Sequence, residues 1–159
     1  MQLSCIFFLF LLNMKLKNKT LLDLQSILSK NGLSSTQFRT ELLNVFFSSK
    51  SLAVDDILKY FNNSINKVTV YRCLDSFEKK GLIHKVPDAN NLKRYSLCRE
   101  NECNVNSHNH NHGHFICYSC NQTFCLEEIK SPEIICMKGF YIQELKLTAE
   151  GYCKDCYKN

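Results

Sequence analysis

The chain has 159 residues, 45% of them hydrophobic and 22% charged, with no tryptophan, five glycines and two prolines. That is a folded globular composition for one ordinary domain or two small ones, and it excludes collagen-like, repeat and low-complexity architectures. Net charge is +5 but unevenly placed: 15 Lys+Arg stand against 7 Asp+Glu through residue 99, and 5 against 8 beyond it. A basic front half before an acidic, cysteine-rich back half suggests a polyanion-binding module joined to something else, an asymmetry that a single enzyme domain would not require.

In chain order, the apolar run Ile6–Leu12 comes first. No Lys or Arg precedes it, no small-residue cleavage site follows, and it is far short of a membrane span. Met14 follows at once, so residues 1–13 read as a misplaced start or a disordered lead, and Met14 as the initiator of a cytoplasmic protein. Leu21, Leu24, Ile27 and Leu28 recur at helical spacing and predict a first helix, closed by Asn31-Gly32. Phe38, Leu42, Leu43 and Phe46 predict a second, which Ser34, Ser35 or Thr36 can cap. A third helix over about 54–61 has Asp55 and Asp56 at its positive end, and Asn62-Asn63-Ser64 is a turn. A fourth, over about 67–80, turns Val70, Leu74 and Phe77 inward and stops at Gly81. Two strands, 82–86 and 92–97, flank a polar turn at 87–91. Helices followed by a β-hairpin are the plan of a winged helix-turn-helix, over 14–98. Residues 99–109 read as a linker. Within 110–159 the pattern predicts strands at 114–118 and 122–126, a broken helix at 127–137 around Pro132, and a third strand at 140–147. The fold class is α+β, with a second, smaller domain.

Ten cysteines without an export signal read as metal ligands or redox groups of a reducing compartment. Cys117-Tyr118-Ser119-Cys120 and Cys153-Lys154-Asp155-Cys156 are two CxxC knuckles, and four thiolates complete a closed, tetrahedral structural zinc site. The alternative, a thioredoxin-like thiol oxidoreductase using Cys117 and Cys120, needs a βαβ plan that the pattern lacks. His108, His110, His112 and His114 alternate, so on an extended segment their imidazoles share a face. Such a tract is either a solvated, unspecific metal binder or part of a built site; its run into Phe115-Ile116-Cys117 anchors it and favours the second. No nucleophile–base pair or phosphate-binding glycine loop is present, which argues against catalysis.

At this point the chain resembles the ferric uptake regulator superfamily of metal-sensing repressors, over roughly residues 19–157. The matching pieces are Thr36-Gln37-Phe38-Arg39, Thr69-Val70-Tyr71-Arg72, Gly81-Leu82-Ile83 and Arg94-Tyr95. His112 through Cys120, and Gly139-Phe140 through Gly151-Tyr152-Cys153-Lys154-Asp155-Cys156, follow in the same order. The resemblance implies a homodimer with N-terminal winged helices, a C-terminal dimerisation domain and a palindromic double-stranded operator. It makes the fourth helix the recognition helix. Tyr71 would meet a thymine methyl and Arg72 a guanine edge or phosphate, with Arg39, Lys67, Thr69, Lys93 and Arg94 as phosphate contacts. Ser34 stands where the family often has a minor-groove lysine, which weakens that contact. Cys73 reads as a packing residue.

The resemblance also implies a second, regulatory metal site. Ser51 stands where iron and peroxide sensors have a histidine ligand, and Cys98 and Cys125 stand where carboxylates are common. The zinc-uptake branch has a cysteine at the Cys98 position and a histidine or aspartate at the His84 position. The favoured set is His84, Cys98, His112 and His114, with Cys125 and His110 as alternates. Thiolates in place of hard oxygens favour Zn2+ over Fe2+ or Mn2+. The third metal site of some relatives is missing its ligands at Asn111, Gly113 and Leu145. Cys103 and Cys136 read as a linker thiol and a core residue. The expected function is a zinc-sensing repressor of metal-uptake genes; the alternatives are an iron or peroxide sensor of the same superfamily and the oxidoreductase.

Overall fold

A computed structural model describes residues 20–98, 112–130, 139–140 and 145–157. The opening segment 1–13, the linker 99–109, His110, Cys103 and Cys136 lie outside the described residues. The chain divides into two compact units between Lys50 and Ser51.

The first unit holds α1 (Leu21–Lys30) and α2 (Gln37–Ser48). Thr20 and Asp23 form a reciprocal capping box at the start of α1: the Asp23 N–H donates to Thr20 Oγ1 at 3.2 Å and the Thr20 N–H to Asp23 Oδ2 at 3.1 Å. Leu24 and Leu28 are its buried positions, and Gly32, at φ +68°, reverses the chain where a side chain would be strained. Thr36, one of three candidate caps, receives the Arg39 N–H and starts α2, which buries Leu42, Leu43, Val45 and Phe46.

The second unit opens with β1 (Leu52–Ala53), α3 (Val54–Tyr60) and α4 (Lys67–Lys79). The Asp56 carboxylate accepts the Ala53 N–H at 2.9 Å, and α3 ends at Asn62 and Asn63, both left-handed. Asn66 caps α4 by accepting the Val68 N–H; Val70, Leu74 and Phe77 are fully buried, and the helix stops at Gly81, φ +70°. The wing is β2 (Ile83–Val86) antiparallel to β3 (Arg94–Leu97), with β1 on the far side of β3. The helices and the wing therefore form where the periodicity places them, and α4 packs on α3 and β2.

A second three-stranded sheet follows, with β4 (His112–Cys117) between β5 (Thr123–Lys130) and β6 (Thr148–Gly151). β5 is antiparallel, with Phe115 opposite Phe124, and β6 is parallel, with Cys117 opposite Gly151. Two expectations are corrected here. Glu127–Lys130 continue the strand instead of starting a helix: Lys130 pairs with His112, and the irregularity between His112 and Gly113 takes up Glu127–Ile129 between that pair and the pair of Gly113 with Leu126; the rest of the expected broken helix, 131–137, lies outside the described residues. The last described strand is Thr148–Gly151; of the strand expected over 140–147, residues 141–144 lie outside the described residues and Phe140 is in no strand. Leu145–Leu147 are outside any strand, and the strand that forms is almost wholly exposed, held by backbone pairing rather than by an apolar pattern.

Candidate metal centres

The parallel pairing of β4 and β6 sets the two CxxC knuckles side by side. The Tyr118 N–H donates to Gly151 O at 2.7 Å, and the Cys153 N–H reaches across to Cys117 Sγ at 3.3 Å. The four sulfurs of Cys117, Cys120, Cys153 and Cys156 all lie within 4.8 Å of one another, with Cys120 and Cys153 at 4.0 Å. A tetrahedral ion with metal–sulfur bonds of about 2.3 Å requires sulfur–sulfur edges of roughly 3.8 Å, so the cluster has the right size. The backbone N–H groups of Cys120 and Cys153 hold the Cys117 thiol down to about 6, which readies it as a thiolate ligand. No disulfide joins the described cysteines.

A second cluster joins the wing to the second sheet. His84 projects from β2, His112 and His114 from one face of β4, and Cys125 from β5; the three histidines are 3–9% exposed. One donor atom from each lies within 4.8 Å of all the others. His84 Nε2 is 3.5 Å from His114 Nε2 and 3.4 Å from Cys125 Sγ. Tetrahedral zinc, with Zn–N near 2.0–2.1 Å and Zn–S near 2.3 Å, needs edges of roughly 3.3–3.6 Å, which these are. Three imidazoles and a thiol, with no carboxylate, are the donor chemistry of a borderline-soft ion. Cys98, expected among the ligands, is not one of these four; its Sγ is 3.4 Å from His84 Nδ1, the other ring nitrogen.

Ser51 has a structural part that sequence reasoning missed. It is 1% exposed, and its Oγ accepts the Thr123 N–H at 3.1 Å and Arg94 Nη1 at 3.4 Å while donating to Gln122 Oε1 at 3.4 Å. Thr123 Oγ1 donates in turn to Pro87 O at 2.7 Å. These bonds clasp the wing turn to β5 beside the histidine cluster. Nothing in local spacing announces it, since its members are 36 to 72 residues apart.

The residues expected at DNA divide into two groups. Thr69, Tyr71 and Arg72 are exposed on the first turns of α4, with Val68 beside them. Lys93 extends from the wing with Nζ 5.6 Å from the Tyr71 ring centroid, so wing and helix present one basic and aromatic face. Lys67 is exposed and faces Asp55 at 3.5 Å. Arg39, on α2, is half-buried and donates to Ser34 O at 3.2 Å. Arg94 is corrected: it is 5% exposed, with Nε on Asp88 at 2.6 Å and Nη1 on Asp56 at 3.3 Å, so its guanidinium stabilises the wing from within instead of facing a phosphate.

Comparison with known proteins places this geometry. The sequence model of the ferric uptake regulator family matches residues 30–150. The ferric uptake regulation protein of Synechococcus elongatus is 27% identical over 153 residues, covering 88% of this chain and 97% of that protein. A zinc uptake regulator solved in complex with zinc and DNA superposes with a TM-score of 0.59 at 22% identity, covering 85% of this chain and 91% of that one. The ferric uptake regulator of Helicobacter pylori, described as having three functional metal-binding sites, gives 0.53 at 18% identity, with 90% and 97% covered.

Proposed function

This chain belongs to the ferric uptake regulator family of metal-responsive transcription regulators, which are not enzymes, and we propose that it is a cytoplasmic, zinc-sensing repressor of metal-uptake genes. Membership sets the thiol oxidoreductase reading aside. In this reading the chain has a winged-helix DNA-binding domain over 14–98, a linker at 99–109 and a dimerisation domain from 110 onward. Cys117, Cys120, Cys153 and Cys156 hold a permanent zinc ion, and their closed shell makes it structural. His84, His112 and His114, with a cysteine thiolate, hold the regulatory ion. The single observation that carries zinc over iron is the donor set of that second cluster, three imidazoles and a thiol with no carboxylate oxygen. Two relatives named for iron support the alternative of a ferrous iron sensor.

The chain's own residues then do the following. The buried imidazoles and the thiol from β2, β4 and β5 converge on one point, so an ion there ties the wing to the second sheet. The thiol proton leaves to solvent on binding. Tying favours one orientation of the DNA-binding heads over others, and the ion shifts that equilibrium only by its preference for the tied state. Across a homodimer the favoured orientation matches the half-site spacing of a palindromic operator. Tyr71 and Arg72 read base edges, while Arg39, Lys67, Thr69 and Lys93 hold phosphates. Operator binding at buffered free Zn2+, Fe2+ and Mn2+ tests this. Binding is expected at the lowest free concentration with Zn2+; tighter operator binding with Fe2+ would transfer the assignment to iron.

A further inference from the structure

We infer that Ser51 and Thr123 are positioning residues for operator binding: their hydroxyls clasp the wing to the second sheet, and so set how much ion is needed to seat the DNA-reading face. The inference rests on the reading of the histidine cluster as the regulatory site. Ser51 is 1% exposed, and its hydroxyl uses its whole hydrogen-bonding capacity. It accepts the Thr123 N–H at 3.1 Å and Arg94 Nη1 at 3.4 Å, and it donates to Gln122 Oε1 at 3.4 Å. Thr123, fully buried, donates its own hydroxyl to Pro87 O at 2.7 Å. Three of these bonds join Gln122 and Thr123, at the head of β5, to Ser51 and Pro87. None of the four residues supplies a donor to either metal cluster.

The bonds reach the residues that face DNA. Pro87 opens the wing turn and Arg94 closes it, with Nε on Asp88 Oδ2 at 2.6 Å. Asp88 Oδ1 accepts the N–H groups of Asn90 and Leu92 at 2.8 and 3.1 Å, so the turn moves as one piece. Lys93, the neighbour of Arg94, carries its ammonium 5.6 Å from the Tyr71 ring centroid. The clasp and the ion therefore act on one equilibrium, between a wing seated on the second sheet and a wing released from it. An ion that regulates must find the seated form in the minority, so each cross bond raises apparent ion affinity by the factor it adds to the seated population. Once the ion saturates its site, the wing is seated with or without any one bond, and operator affinity no longer depends on it. One buried hydrogen bond contributes about 3–10-fold to such an equilibrium. The clasp thus sets the sensing threshold from outside the ligand set.

The test uses full-length protein retaining its four-thiolate zinc, with a duplex selected from random sequence by the wild-type protein as the operator probe. Thr123→Val keeps the side chain's shape and removes the hydroxyl; Ser51→Ala removes the other hydroxyl and gives the same reading should the valine variant not fold. Both should bind Zn2+ at the second site about 3–10-fold more weakly, measured in competition with a chromogenic chelator. Half-maximal duplex binding should move to higher free Zn2+ by the same factor, while duplex affinity at saturating Zn2+ stays unchanged. Co2+ placed at the second site should give the wild-type absorption spectrum in both variants, with the donor set undisturbed. Thr123→Ser, which retains the hydroxyl, should match wild type. Unchanged Zn2+ affinity in the variants, weaker duplex binding at saturating Zn2+, an altered Co2+ spectrum, or an equal loss in Thr123→Ser would overturn the inference. A wild-type chain that selects no duplex, or binds one regardless of the second ion, would instead remove the regulatory-site reading itself, a different result.

Discussion

Inside the wing, the Asp88 side chain is 1% exposed and the Arg94 side chain 6%. Burial pushes the Asp88 carboxyl upward, but Arg94 and the N–H groups of Leu92 and Asn90 outweigh it and hold it below its ordinary value. Replacing Asp88 by Asn leaves a buried guanidinium without its nearest counter-charge, and we expect a loss of about 3 kcal/mol in urea unfolding near neutral pH. Because the folded value lies below the unfolded one, the carboxylate's contribution is complete above about pH 4 and is lost as pH falls through the depressed value. The gap between wild type and D88N should therefore close in acid; a pH-independent gap would mean that packing, not charge, is what the substitution removes. At this scale the sequence is unevenly informative. The four CxxC sulfurs are readable because local spacing alone gives each pair its bite. Arg94 misleads, since a wing arginine looks the same whether it faces a phosphate or an aspartate six residues back. Cys98 and Cys125 are both visible as thiols, but which nitrogen of His84 each one meets depends on the packing of β2 against β5.

Among the elements, α4 with the wing tip is the part most exposed to test by DNA binding. Tyr71→Ala should cost about 1–3 kcal/mol in operator affinity and relax discrimination at one base pair, whereas Lys93→Ala should weaken binding to all sequences alike and lower the salt slope by about 1. Equal salt slopes for K93A and wild type would remove Lys93 from the phosphate contacts. The clasp between wing and second sheet is testable without DNA. Ser51→Ala removes the acceptor of the Thr123 N–H, so amide exchange at Thr123 should speed up while α1 and α2, in the other unit, keep their protection. Unchanged exchange at Thr123 would show that Ser51 is not what holds it. The four helices and the β2–β3 hairpin are legible because each carries its own period and its own stop signal. β1, with two residues, is too short to have a pattern. Glu127–Lys130 have helix-forming residues drawn into the strand by the pairing of Lys130 with His112, and among the described residues Thr148–Gly151 pair only with β4.

For the molecule as a whole, the account depends on two metal centres of unequal permanence. One is closed by four sulfurs at the end of the second sheet; the other is assembled from three strands contributed by both sheets. The four-sulfur grouping of the first is legible from two motifs, while the second is a tertiary assembly in which resemblance supplied candidates and geometry grouped them. The most direct measurement is native mass spectrometry of the purified protein, before and after dialysis against a mild chelator. We predict two zinc ions per chain before dialysis, and afterwards one per chain in a dimer that is still folded and no longer binds its operator. A protein that is folded and dimeric with no zinc at all, or one that still binds its operator after the second ion is removed, would contradict the account.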